Sequence, residues 1–204
     1  MPARFSAARR SLVLSAAFAP LASLVLTACS KPYVFHGVDI TGVPYADGFS
    51  LTDFNGKTRT LADFAGKVVV MYFVYTQCPD ICPASMQVVA QAMDDLGEKA
   101  RDVQFLFVTV DPERDTPEIL KAYVTHFNPT FLALTGTPAQ IALTAKDFKV
   151  YYKKVPGKTP GSYTMDHTAG FYVFDPKGKI RLFEREGVSA KDLAQDINAL
   201  IEGH

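Results

Sequence analysis

Two thiols four residues apart carry the most reactive chemistry in this chain of 204 residues. Cys78 and Cys82 stand in the stretch Thr76-Gln-Cys-Pro-Asp-Ile-Cys-Pro83, directly after an unbroken run from Val68 to Tyr75 that is all β-branched, aromatic or Met. Such a run, without polar alternation, reads as a strand covered on both faces. Met86 to Leu96 then carries helical spacing, and Pro83 suits a first helical turn, where its missing N–H would be unpaired anyway. The thiols therefore sit where a buried strand hands over to a helix N-terminus. Residues i and i+4 share one helix face, and the unpaired N–H groups and positive dipole end favour thiolate over thiol. The expectation is a reactive pair: a disulfide, a nucleophile with its resolving partner, or two soft metal ligands. Further candidates are His167, in Tyr163-Thr-Met-Asp166-His167-Thr168, and the acids Asp111 and Asp115 in Asp111-Pro-Glu-Arg-Asp115. Asp111 and Asp115 serve either turn and helix capping or the surroundings of a metal. Asp166 either holds the His167 ring in place or is a solvated loop acid.

These residues can act together only if the intervening elements bring them to one place. Phe49 to Leu61 alternates around Asn55-Gly56, a strong hairpin signal. After the Val68 run and its helix, which ends near Gly97, Val103 to Val110 reads as a second buried strand. A crossover helix makes it parallel to the first. Thr116 caps a helix with Pro117 at its first position, running to about Phe127. Phe131 to Leu134 is a short strand, and Thr137 with Pro138 opens a helix to about Phe148. Val150 to Val155 alternates weakly, and residues 156–161 form a breaker-rich loop. Gly170 to Phe174 and Lys179 to Phe183 flank Pro176-Lys-Gly178 as a hairpin. Ser189 opens a last amphipathic helix with Leu193, Ile197, Leu200 and Ile201 on its apolar face.

This order predicts an α/β protein: a thioredoxin-like fold with an N-terminal β-hairpin and an inserted strand-helix segment. In such a sheet Gly170–Phe174 lies antiparallel beside Val68–Tyr75, so the start of one meets the end of the other. His167 is thereby expected to face the thiol pair. Two soft thiolates and one imidazole suit Cu(I) in a trigonal arrangement, or Cu(II) with a further oxygen ligand. Zinc wants a fourth ligand and a closed tetrahedron, for which the sequence offers no third placed cysteine or second placed histidine. One copper ion held by Cys78, Cys82 and His167 is the expected cofactor. Met86 and Met165 are read as packing rather than thioether ligands, and His126 and His204 have no partner in sequence.

The bulk composition agrees with one domain plus appendages. Hydrophobic residues make up 48% of the chain, enough for a proper core. Acidic and basic residues balance at 21 each, so no basic field argues for nucleic acid. Residues 1–28 hold Arg4, Arg9 and Arg10, no acid, and a mostly apolar stretch from Ser11 to Val25, the charge and order of an export signal. A transmembrane span is the competing reading, set against by Pro20 and the small residues that end the stretch. Without residues 1–28 the chain has 18 basic against 21 acidic residues, mildly acidic. Leu26-Thr-Ala-Cys29 looks like a bacterial lipobox, with Cys29 acylated and residues 29–44 a tether to a domain spanning residues 45–204. Cys29 on lipid leaves one extracytoplasmic pair, which oxidises to a disulfide by default when no metal holds it. His36, in the tether, is expected to be exposed and inert.

With Cys78-Pro-Asp-Ile-Cys82-Pro83, Asp111-Pro-Glu-Arg-Asp115 and Asp166-His167 standing in that order, the sequence resembles the Sco (SenC-type) family of copper proteins from about Gly37 to Glu202. The resemblance implies Cu(I)/Cu(II) binding by Cys78, Cys82 and His167. It implies a metallochaperone that delivers copper to the CuA centre of cytochrome c oxidase, or keeps that centre's cysteines reduced. The implied partners are the copper-accepting oxidase subunit, other periplasmic copper carriers or thiol reductants, and a membrane reached through the lipid. Family members are membrane-anchored, many by a transmembrane helix, whereas this chain looks lipidated on the periplasmic face of a bacterial membrane. The competing class is a thiol–disulfide oxidoreductase, with Cys78 attacking and Cys82 resolving. Against that as the sole role stand the absence of Trp, the three-residue spacing, and Thr168 where thioredoxins place a substrate-contacting proline.

Overall fold

A computed structural model describes Met1 and residues 33–79 and 81–204. The expected export signal and the acylation site Cys29 lie outside the described residues. Pro32–His204 form one unit. Its strands are β1 (Val38–Asp39), β2 (Leu51–Asp53), β3 (Thr58–Arg59), β4 (Val68–Val74), β5 (Val103–Thr109), β6 (Leu132–Thr135), β7 (Tyr152–Pro156), β8 (Tyr163–His167), β9 (Gly170–Phe174) and β10 (Ile180–Arg185). Its helices are α1 (Ile81–Leu96), α2 (Pro117–Phe127), α3 (Pro138–Asp147) and α4 (Ala190–Ile201). Among the described residues no helix is long and apolar enough to cross a membrane.

Eight strands form one sheet in the order β1-β10-β9-β4-β5-β6-β2-β3. The central strand β4 runs parallel to β5 and antiparallel to β9, with Val74 opposite Thr109 and Tyr72 opposite Phe171. All seven residues of β4 are buried, because both faces of the sheet are covered. Its side chains divide by the period of two. Val68, Val70, Tyr72 and Val74 join the core under α1, α2 and α4. Val69, Met71 and Phe73 join a second core with Leu51, Phe64 and the α3 residues Ile141 and Ala145. The fold is thioredoxin-like, with the β2–β3 hairpin added ahead of β4.

Local chemistry explains the helix starts. Thr116 accepts a hydrogen bond from the Ile119 N–H, and Thr137 with Gln140 forms a capping box. Such caps contribute about 1 kcal/mol each, and Pro117 and Pro138 follow them at the first helical position. Two features differ from the sequence expectation. Val38–Asp39, within the expected tether, pair with β10 as the outermost strand. His36 also docks on α4, its ring Nε2 2.9 Å from Gln195 Oε1 and its backbone N–H donating to the Asp196 carboxylate. Second, residues 163–167 are a strand, and β8 pairs with β7 as a separate two-stranded ribbon. Of the breaker-rich residues 156–161, Pro156 ends β7 opposite Tyr163 and the rest lie in the turn of that ribbon.

Candidate metal centre

The chain leaves β4 at Val74 and turns back through the Cys78 N–H, which donates to the Tyr75 carbonyl at 3.4 Å. It then enters α1, where Cys82 is the second residue. Cys78 is half-buried, while Cys82 is wholly buried in the core between β4 and α1. Both are thiols in this structure. His167 ends β8, three residues before β9 begins beside β4. The antiparallel register therefore returns the imidazole to the edge from which the thiols project, although 85 residues separate His167 from Cys82.

The donor atoms of Cys78, Cys82 and His167 all lie within 4.8 Å of one another. His167 Nε2 is 3.6 Å from Cys82 Sγ. Its other nitrogen, Nδ1, lies 3.1 Å from the Thr168 carbonyl. A carbonyl can only accept, so Nδ1 carries the proton and Nε2 presents its lone pair toward the sulfurs. For a metal bound in a trigonal plane, bonds of about 2.3 Å to sulfur and 2.0 Å to nitrogen set S and N about 3.7 Å apart. The observed 3.6 Å between Cys82 Sγ and His167 Nε2 matches that spacing, and Cys78 Sγ lies within 4.8 Å of both donor atoms. Tyr75 and Tyr72 wall the imidazole, their ring centroids 5.9 and 6.3 Å from it in edge-on geometry.

Protonation departs from the sequence expectation of a helix N-terminus favouring thiolate. The hydrogen bond with Cys78, then burial, push the Cys82 thiol well above its ordinary range. The Tyr75 backbone and the Tyr72 hydroxyl pull weakly the other way. Two adjacent thiolates in a buried setting repel each other. A cation between them would reverse that balance, because metal binding releases thiol protons.

The acids take supporting positions outside the three-donor group. Asp115 is buried and accepts from the Thr109 hydroxyl at 2.6 Å, the Thr76 hydroxyl at 2.5 Å and the Thr76 N–H at 3.2 Å. Burial raises its carboxyl, against the pull of those hydroxyls. Asp111 is buried as well. It accepts from the Tyr163 hydroxyl at 2.9 Å and pairs with Arg114. Neither acid caps α2, a role that belongs to Thr116. Asp166 is exposed on β8 opposite Lys153, and the Thr168 carbonyl, not Asp166, meets the His167 ring nitrogen. Met86 is buried in the core under α1, and Met165 packs in the second core. Arg114, Thr76 and Tyr163 carry no sequence mark as parts of the site. The one available signal was an arginine set between two acids at the same sheet edge.

A cleft of about 420 Å³ opens beside Cys78 and His167. Its walls are largely apolar, with Tyr75, Pro79, Ile81, Met165 and Ala169, and its charged groups are Asp166 and Glu186. Ile81 is 46% exposed at its rim. The sulfur on the cleft side is thus reachable while the other is sealed in the core.

The fold and the donor set together define a thioredoxin-like domain with a metal-binding constellation at the end of its central strand. Residues 40–202 match the SCO1/SenC family model, and the chain belongs to that family. It is 38% identical to the bovine mitochondrial SCO2 homolog over 151 residues, which are 73% of this chain and 57% of the bovine protein. The chain thus spans little more than half the length of that relative. A copper-bound ScoI structure from Bradyrhizobium japonicum is 40% identical, covers 75% of this chain and 97% of its own, and superposes with a TM-score of 0.69. A SCO1/SenC family lipoprotein from Bacillus anthracis is 30% identical, covers 75% of this chain and 92% of its own, with a TM-score of 0.65.

Proposed function

We propose that this protein is an extracytoplasmic copper metallochaperone that carries one copper ion on Cys78, Cys82 and His167 and assists maturation of the CuA centre of cytochrome c oxidase. The observation that carries the reading is the convergence of two sulfurs and one imidazole nitrogen within 4.8 Å at an accessible sheet edge. That donor set matches the softness of Cu(I), and its low coordination number leaves room for an incoming thiolate. Copper then moves by ligand exchange, one donor of the acceptor replacing one donor of the carrier, without release of the ion to water. Cys78, at the cleft, is the sulfur an acceptor reaches first. The copper held by the Bradyrhizobium relative supports the cargo, and the family resemblance supports the oxidase as destination. The lipobox at Cys29 supports anchoring to the periplasmic face of a bacterial membrane, as does the lipoprotein relative from Bacillus.

One observation favours a second reading. A half-buried thiol beside a sealed one is the asymmetry of an attacking and a resolving cysteine, as a thiol–disulfide oxidoreductase reducing a copper-site protein requires. His167 separates the two. His167→Ala should weaken copper by about 10-fold or more, since it removes one of three donors, while leaving both thiols titratable. Competition titration with a Cu(I) chelator reads the affinity. Unchanged affinity, with undiminished reduction of a model disulfide, would favour the oxidoreductase.

A further inference from the structure

The imidazole donor and the sulfur donors belong to different substructures. Cys78 follows β4 of the main sheet, whereas His167 ends a ribbon whose two strands pair with each other and not with that sheet. Covalent continuity into β9 holds the His167 end of the ribbon, and Met165, in the middle of β8, packs in the second core with Tyr75. The Tyr163 end, four residues from His167, meets the segment before Cys78 through Arg114. Its Nη1 donates to Gln77 Oε1 at 3.1 Å, one residue before Cys78, and to the Tyr163 carbonyl at 2.9 Å, at the start of β8. Its Nε pairs with the buried Asp111 carboxylate, which also accepts from the Tyr163 hydroxyl. The guanidinium carbon lies 3.6 Å from the centre of the Tyr163 ring, and Lys154 Nζ, from β7, lies 4.7 Å from the same ring. Lys154 in turn pairs with Glu113, the neighbour of Arg114. One side chain thus touches the loop before Cys78, the segment after β5 and the ribbon that carries His167.

We propose that Arg114 is the positioning residue of the metal centre, a planar tie that sets the spacing between the His167 ribbon and the Cys78 loop. The inference rests on the copper-carrier reading for its purpose, and on the bonds just given for its geometry. Planarity matters here: a guanidinium can bond two acceptors in its plane while stacking on an aromatic face, and a lysine ammonium cannot do both. A residue that merely stabilised the loop would act alike on every donor. A tie between donors acts through His167.

The test uses Arg114→Ala and Arg114→Lys, each alone and combined with His167→Ala, all kept below their melting temperatures. Lys keeps a positive charge beside Asp111 and so removes the planar tie without removing the charge that pairs with that carboxylate. In the metal-free wild type, NMR should give contacts between the His167 ring and the Cys82 β-protons, and these should be lost or weakened in both Arg114 variants. In Cu(I) competition, both variants should bind about 10- to 100-fold more weakly, the usual cost of removing a residue that orients a ligand. In the His167→Ala background the same substitutions should add nothing. Persistent ring contacts, full recovery by Lys, or an equal copper loss in both backgrounds would each overturn the proposal. Should the wild type bind no copper, the carrier reading fails, and the ring contacts alone decide whether Arg114 holds the geometry.

Discussion

At the scale of single residues, Cys82 is set two opposing conditions. Its thiol neighbour Cys78, then its burial, favour the neutral form, whereas metal ligation needs the thiolate. Empty and metal-bound states therefore differ in proton count, and the His167 lone pair is already aimed at the place where the ion would sit. In the Cu(II) form, thiolate-to-copper charge transfer should colour the protein. Absorption spectroscopy on a Cys78→Ser, Cys82→Ser double variant is expected to find that band gone. Colour that persists in the variant excludes these ligands. The thiols and the imidazole were all legible in the sequence, since their chemistry is written in residue type. Arg114 was not, because its part depends on reaching Gln77 and the Tyr163 carbonyl, partners that spacing does not reveal.

At the scale of elements, the C-terminal hairpin and α4 carry a second buried polar pair, remote from the thiols. Asp196 of α4 accepts from the His36 and Gly37 N–H groups, each at 2.8 Å. It thereby holds the incoming chain against Glu184 of β10. A Cβ at Gly37 would lie 2.4 Å from the Glu184 carboxylate oxygen, so that buried side chain would have to shift. Burial first, then the bond and charge of Asp196, push the Glu184 carboxyl up to about 8. Asp192 adds its own negative charge. The unfolded chain ionises Glu184 near the ordinary value of 4.5, while the folded chain keeps the proton until about pH 8. Between those values the folded state binds more protons, so its stability falls as pH rises and levels off above about 8. Glu184→Gln supplies a permanent neutral donor to Asp196. Thermal melts at pH 5 and pH 8 should show the variant gaining on the wild type at the higher pH. Parallel melting curves would show that Glu184 does not hold its proton in the fold. Sequence patterning found β10 and α4 but not this pair, since the expected strand stopped at Phe183 and left Glu184 beyond its end.

At the scale of the whole molecule, the site sits where central strand, first helix and ribbon meet, and the chain enters the domain at the β1–β10 edge. The proposed anchor precedes that edge. Cys29→Ala should abolish acyl labelling and release the protein from the membrane fraction while leaving the folded domain and its copper affinity intact. Radiolabelled fatty acid still incorporated into that variant would exclude the anchor. The expectation that residues up to 44 form a tether met a structure in which Val38–Asp39 already pair with β10. Two residues are too few for a periodic signal, and only the exposed edge of β10 makes them a strand.

By itself the sequence determined the main-sheet strands around the site, the helices with their caps and the order of the elements, and it named the three candidate donors that the fold brings together. Apolar periodicity, capping residues and thiol chemistry are local properties, readable one window at a time. The order of elements also implied that β9 returns beside β4, because antiparallel pairing in a thioredoxin-like sheet leaves little choice. Tertiary structure alone decided that β8 leaves the sheet as part of a ribbon, and that Asp111 and Asp115 brace the loops instead of joining the donors. It alone put an arginine between the two halves of the centre. These outcomes turn on distances between segments 37 to 52 residues apart in the chain, and no local pattern encodes such distances.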